Sequence, residues 1–152
     1  MKAREIQVPE ATFALDTLAS PTWTYTCELA TSKADRRSAE GWARAVIEGA
    51  PRLLRWFVVT GWIVGLRLRL GPRRSTDLVA GWEIVSSTPT AVILAVGSFA
   101  LSAHLVVQVE DSRIIHSTFV RYDRWPARFM WTVAAPIHRR VIPYLLEHAA
   151  RT

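Results

Sequence analysis

Residues 91–122 read AVILAVGSFALSAHLVVQVEDSRIIHSTFVRY, and three β-strands can be read from them. The runs 91–96, 99–109 and 113–122 are rich in Val, Ile and Phe, and turn residues separate them at Gly97-Ser98 and Glu110-Asp111-Ser112. Alternation assigns the faces. Successive side chains of a strand leave opposite sides, so if Arg113 and Arg121 meet water, then Ile114, His116, Thr118, Val120 and Tyr122 point inward. In the strand before it, Leu101, Ala103, Leu105, Val107 and Val109 share one face. Residues 91–109 carry no formal charge and approach the length of a membrane span, but Gly97, Ser98, Ser102, His104 and Gln108 interrupt them. Strands are the better reading.

Upstream, 78–86 is another strand-like run in which Trp82 and Ile84 share a face while Glu83 points away, and Ser87-Thr88-Pro89 turns it back. A spacing of about ten residues with tight joints predicts antiparallel hairpins rather than helical crossovers. Residues 22–30 (TWTYTCELA) also alternate, with Trp23, Tyr25, Cys27 and Leu29 on one side and Thr24, Thr26 and Glu28 on the other. Ser38 is a helix N-cap without the full capping box, since Gly41 stands where the box needs Glu, and a short helix follows to about residue 50. Pro51 opens a second helix. The apolar density of 51–65 predicts burial on much of its circumference, and the spacing of Gly61 and Gly65 suggests close packing. Residues 67–70 (RLRL) alternate again, and Gly71-Pro72 turns.

From 126 to 150 the pattern is helical, with Met130, Val133, Ala134, Ile137, Val141, Tyr144, Leu145 and His148 forming an inward stripe. Pro136 and Pro143 lie inside it and should bend or break the helix. Residues 1–20 form an N-terminal arm, and 21–152 a single domain. The fold class is therefore α+β: a curved antiparallel sheet wrapped around a long C-terminal helix, with two short helices after the first strand. That helix is the one element long enough to cover the sheet.

The 152 residues suit one folding unit, and the hydrophobic share of 50% excludes a disordered chain. Cys27 is the only cysteine, which excludes an intrachain disulfide and a thiolate zinc site and fits a cytoplasmic location. The first nine residues hold no apolar core of a signal peptide. A net charge of +6 raises nucleic acid or an anionic membrane as partners. The charge comes from arginines scattered in short pairs, such as Arg36-Arg37 and Arg139-Arg140, which reads as solvated surface and not as a nucleic-acid site.

Small inward residues beside large ones, Ala103 between Leu101 and Leu105, leave room between sheet and helix. Here the chain resembles a family. The order of elements is that of the helix-grip superfamily, which includes START lipid-transfer domains, birch-pollen-allergen-like plant proteins and bacterial polyketide cyclases. Residues 38–70 (SAEGWARAVIEGAPRLLRWFVVTGWIVGLRLRL) and 125–150 (WPARFMWTVAAPIHRRVIPYLLEHAA) resemble a bacterial subgroup defined only as a domain of unknown function. The most specific piece is Trp131 with Pro136-Ile137-His138-Arg139-Arg140, and the resemblance covers about residues 20–150. It implies the fold and a hydrophobic cavity, and it brings no catalytic residues.

The candidate ligand contacts are Tyr25, Trp82, Leu101, Ala103, Leu105, His116, Thr118, Val120, Tyr122, Met130, Ala134 and Ile137. For His116 a purely structural role, satisfied by a hydroxyl or water, outranks ligand contact. His138 reads as helix-terminus packing, and Cys27 as a small buried hydrophobe. No histidine has metal-ligand spacing, and no nucleophile elbow, phosphate loop or dinucleotide fingerprint is present, so no cofactor is expected. Three functions compete. The first is carriage of a lipid, polyketide or isoprenoid. The second is a cyclase- or dehydratase-like enzyme using His116, Tyr25 or Tyr122. The third is a basic module that meets an anionic surface through Arg67, Arg69, Arg73 and Arg74. An unpaired sheet edge would also offer a homodimer contact.

Overall fold

The computed structural model describes residues 2–15, 18, 20–71 and 77–152. In chain order its elements are β1 (Arg4–Ile6), α1 (Glu10–Leu15), β2 (Trp23–Ala30), α2 (Ala39–Ile47) and α3 (Arg52–Thr60), which runs on into a π-helical turn (Gly61–Gly65). They continue with β3 (Leu78–Val79), β4 (Trp82–Thr88), β5 (Ala91–Gly97), β6 (Leu101–Val109), β7 (Arg113–Tyr122) and α4 (Pro126–Arg151). The protein is α+β. Its seven strands make one curved antiparallel sheet in the order β1-β2-β7-β6-β5-β4-β3. The helices α2 and α3 follow the second strand of the chain, because Arg4–Ile6 already pairs with β2.

The inner face carries the main core. Tyr25, Cys27 and Leu29 of β2, the odd-numbered residues 101–107 of β6, and Ile114 and Val120 of β7 pack there with both α2 and α4. Cover is shared rather than given by α4 alone. α2 lies over β3 to β6, while α4 lies against β2 and α2. Trp42 of α2 is fully buried and donates its indole N–H to Ala34 O at 2.8 Å, and Arg37 donates to Ala149 O at 2.8 Å, tying the segment just before α2 to the end of α4. Ser38 Oγ accepts from Gly41 N at 3.1 Å and caps α2.

The outer face has a smaller core of its own. Ile93, Val106 and Phe119 pack there with Leu18 and Val8, and Phe13 of α1 sits 5.7 Å from the Phe119 ring. The N-terminal residues thus supply an edge strand and a cap on the back of the sheet. On the same side Glu28 is pinned between Arg4 (2.6 Å) and Arg113 (2.7 Å), and these guanidiniums hold its carboxyl below the usual range. Glu28→Gln is expected to cost about 1 kcal/mol in chemical denaturation, because the amide keeps one acceptor oxygen but loses the charge that faces two partly solvated guanidiniums. A change below a few tenths would show the triad to be solvated.

Four expectations change. Residues 78–86 are two strands, since Ala80 (φ 50°) and Gly81 (φ 91°) form a two-residue hairpin loop with Val79 paired to Trp82. A Cβ on Gly81 would meet Gly71 O and Leu70 Cβ at 2.9 Å, and the Ala80 amide is held by Glu48 at 2.9 Å, so contacts from outside the loop stabilise a turn that Ala-Gly does not announce. Residues 67–70 are not a strand; Leu66 and Leu68 are buried, and Arg69 N reaches Gly97 O at 2.9 Å. Gly71 is described, whereas Pro72, Arg73 and Arg74 lie outside the described residues.

The long helix is not broken. α4 runs through Pro136 and Pro143. A proline leaves the carbonyl four residues earlier without its amide donor. For Pro143 that carbonyl belongs to Arg139, and the Tyr25 hydroxyl donates to it at 3.4 Å. For Pro136 it belongs to Thr132, which is exposed and can meet water. The last correction concerns 52–65, where only Val59 is buried. Leu53 is 85% exposed, Trp56 66% and Val64 61%. Among the described residues no helix lies over that side.

Candidate functional site

Over the inner face of β6 and β7, between α4 and the 57–65 segment, a cavity of about 360 Å³ opens. Its floor is Leu101, Ala103 and Leu105 of β6 with Thr118 of β7. One wall is α4, through Met130, Trp131, Ala134, Ile137, His138 and Val141. The opposite wall is Phe57 and Val58 with Gly61, Trp62 and Gly65 of the π-helical turn, and Trp82 closes one end. Phe57, Val133 and Ile137 line the cavity and are nevertheless exposed, so they mark its mouth.

The polar groups are few and uncharged. Thr118 Oγ1 and His138 Nε2 share a hydrogen bond of 2.8 Å. The His138 ring meets Trp23 and Tyr25 edge-on, with centroids 5.8 Å away, and Trp131 at a tilt, 5.6 Å away. Burial, followed by the neighbouring His116 and the Arg139 charge, pushes its pKa down to about 3. The indole N–H groups of Trp82 and Trp131, both on lining rings, have no acceptor among the described residues. No Asp, Glu, Lys or Arg is among the lining residues.

Of the twelve candidate contacts, eight line the cavity: Trp82, Leu101, Ala103, Leu105, Thr118, Met130, Ala134 and Ile137. Tyr25, His116, Val120 and Tyr122 do not. Tyr25 is turned toward the α4 backbone, and burial raises its pKa, so the phenol stays protonated. Val120 packs in the core between β2 and β6. Tyr122 lies at the end of β7, half-buried, with burial again raising its pKa. His116 is fully enclosed opposite Cys27 and Val107, its Nδ1 unpaired and its pKa lowered to about 4 by burial.

The acid–base enzyme needs His116 and a tyrosine to approach each other across the cavity, and all three named groups lie outside it. Burial also pushes the Cys27 thiol up to about 12, which leaves it protonated and a poor nucleophile.

His138, Trp131 and the wall 57–65 escaped the sequence reading. His138 follows Pro136 by two residues, which suggested a helix terminus, yet the helix is continuous and its side chain reaches Thr118. Gly61 and Gly65 do not pack closely: a Cβ on either would meet nothing within 4 Å. The signal in the sequence is the wide apolar circumference of 51–65, which contact with protein and the wall of a cavity produce alike. Among the described residues no cluster of His, Cys, Asp and Glu could hold a metal, and no helix is long and apolar enough to cross a membrane. In comparison with known proteins, no family model matches the chain, and no curated protein or solved structure matches it significantly.

Proposed function

We propose that the protein carries an uncharged hydrophobic small molecule of lipid, polyketide or isoprenoid type, held on a helix-grip plan between the sheet and α4. The observation that supports this reading is the apolar cavity, whose lining residues include no charged side chain. Its volume of about 360 Å³ falls within the range of small-ligand pockets, roughly 300–1,000 Å³. A ligand that buries roughly 300 Å² of apolar surface gains on the order of 7 kcal/mol before the costs of association. A charged ligand would lose its hydration and find no counter-ion. An oxygen acceptor is favoured on the ligand, because indole nitrogens only donate. A cytoplasmic place fits the single thiol of Cys27.

Uptake of the neutral probe N-phenyl-1-naphthylamine tests the reading. Saturable binding with one site is expected, and oleyl alcohol should displace the probe at least about tenfold better than oleate does, given the cost of burying an unpaired carboxylate. Native mass spectrometry of the purified protein should show an added mass that organic extraction removes. Absence of both saturable uptake and added mass would overturn the proposal.

A further inference from the structure

The rim of the cavity is more apolar than a free surface requires. Along 52–65 one stripe lines the cavity, while the neighbouring stripe of Leu53, Trp56, Ile63 and Val64 faces solvent. From Trp125, the N-cap of α4, Phe129, Val133 and Ile137 follow at every fourth residue, which keeps them on one face. All four are exposed, Trp125 at 79%, and its ring rests 6.0 Å from that of Phe129. Phe57 from one stripe and Val133 and Ile137 from the other border the same mouth, so the two apolar strips flank one opening. Patches of this kind on a free chain mark an interaction surface.

Charge identifies the partner. No carboxylate occurs between Glu48 and Asp77, where six arginines lie, and none between Asp123 and Glu147, where four more lie. Arg52 and Arg55 are exposed beside the first strip, and Arg124 and Arg128 beside the second. A second copy docked face to face would bring these cations against their own kind. An anionic lipid surface complements both features, since apolar and tryptophan side chains enter the acyl boundary while arginines meet the headgroups.

We propose that the mouth of the cavity is a docking face for an anionic bilayer, with Trp56, Ile63, Trp125 and Phe129 inserted at the interface and Arg52, Arg55, Arg124 and Arg128 on the headgroups. The docking goes beyond ligand carriage and does not depend on it. If the cavity does hold an apolar molecule, its mouth would open toward lipid rather than water.

Co-sedimentation with vesicles of phosphatidylcholine alone, or mixed with phosphatidylglycerol, tests this. The mixed vesicles should bind the protein at least about tenfold more tightly, with the preference falling as salt is added. Trp56→Ser/Phe129→Ser should weaken binding about tenfold or more. Arg52→Glu/Arg128→Glu should remove the preference for phosphatidylglycerol. None of these four residues lines the cavity, so uptake of N-phenyl-1-naphthylamine should persist in both variants and shows that they are folded. Absence of both uptake and added mass in the parent, with vesicle binding intact, would reject the carrier and leave the docking face standing. The docking proposal falls if neither vesicle binds, if both bind equally, or if both variants bind as the parent does. It falls also if sedimentation velocity finds a dimer that Trp56→Ser/Phe129→Ser dissociates.

Discussion

Ala134→Trp is expected to abolish probe uptake, lowering affinity by about a hundredfold or more, while the fold stays as stable as before or becomes more so. Ala134 lies on the cavity wall of α4, opposite the β6 floor, so an indole there projects into empty volume. Core overpacking ordinarily costs about 1–3 kcal/mol, because neighbours must move. Here space is already present, and unfilled cavity costs on the order of 24 cal/mol per Å³, so partial filling offsets the strain. The contrast is Ala149→Trp. Ala149 is fully buried in the packed part of the same helix and is not among this cavity's lining residues, so that substitution should destabilise by several kcal/mol. Equal destabilisation by the two, in parallel urea titrations, would show that the space beside Ala134 is filled by protein and would remove the basis of the ligand-carrier proposal.

Acidification from pH 7 to pH 4 should cost the fold several kcal/mol, most of it lost between about pH 6.5 and 4. His116 and His138 have pKa values lowered from 6.5 to about 4 and about 3. A depressed imidazole binds fewer protons in the folded state than in the unfolded one. Stability therefore rises with pH across the window between the two values. Above pH 6.5 both states are neutral and the full stability is present; as pH falls below it, the unfolded chain gains protons that the folded one refuses. Each unit corresponds to about 1.4 kcal/mol; His116, fully enclosed, carries the larger share, because His138 is half-buried on the wall of a cavity that opens to solvent and the two rings influence one another. Glu28, whose carboxyl is depressed by Arg113 and Arg4, loses its contribution in the same direction at still lower pH. Folded stabilities of small domains are about 5–15 kcal/mol, so unfolding near pH 4 is within reach. His116→Gln/His138→Gln should flatten the profile across the imidazole window, since an amide does not titrate there. A parent whose stability is level from pH 7 to 4.5 would show that water reaches both rings.

What the sequence alone determined was local. Alternation in 91–122 and 22–30 sorted inward from outward side chains, because a strand's period of two belongs to its own backbone. Ala103, Leu105 and Thr118 could be assigned to the inner face without knowing what covers it. The tertiary structure decided everything that depended on the far side of an element. The apolar circumference of 52–65 was legible, yet the same side chains suit a packed core, a cavity wall and an exposed rim alike. Only the positions of α2 and α4 show that no helix covers it. The three residues of β1 are too few for a pattern, and their place comes from pairing with β2. Pro143 should have broken α4, but Tyr25, on a strand far away in sequence, donates to the carbonyl it frees. Backbone geometry repeats within a segment and can be read there, whereas burial is set by whatever element arrives from elsewhere in the chain.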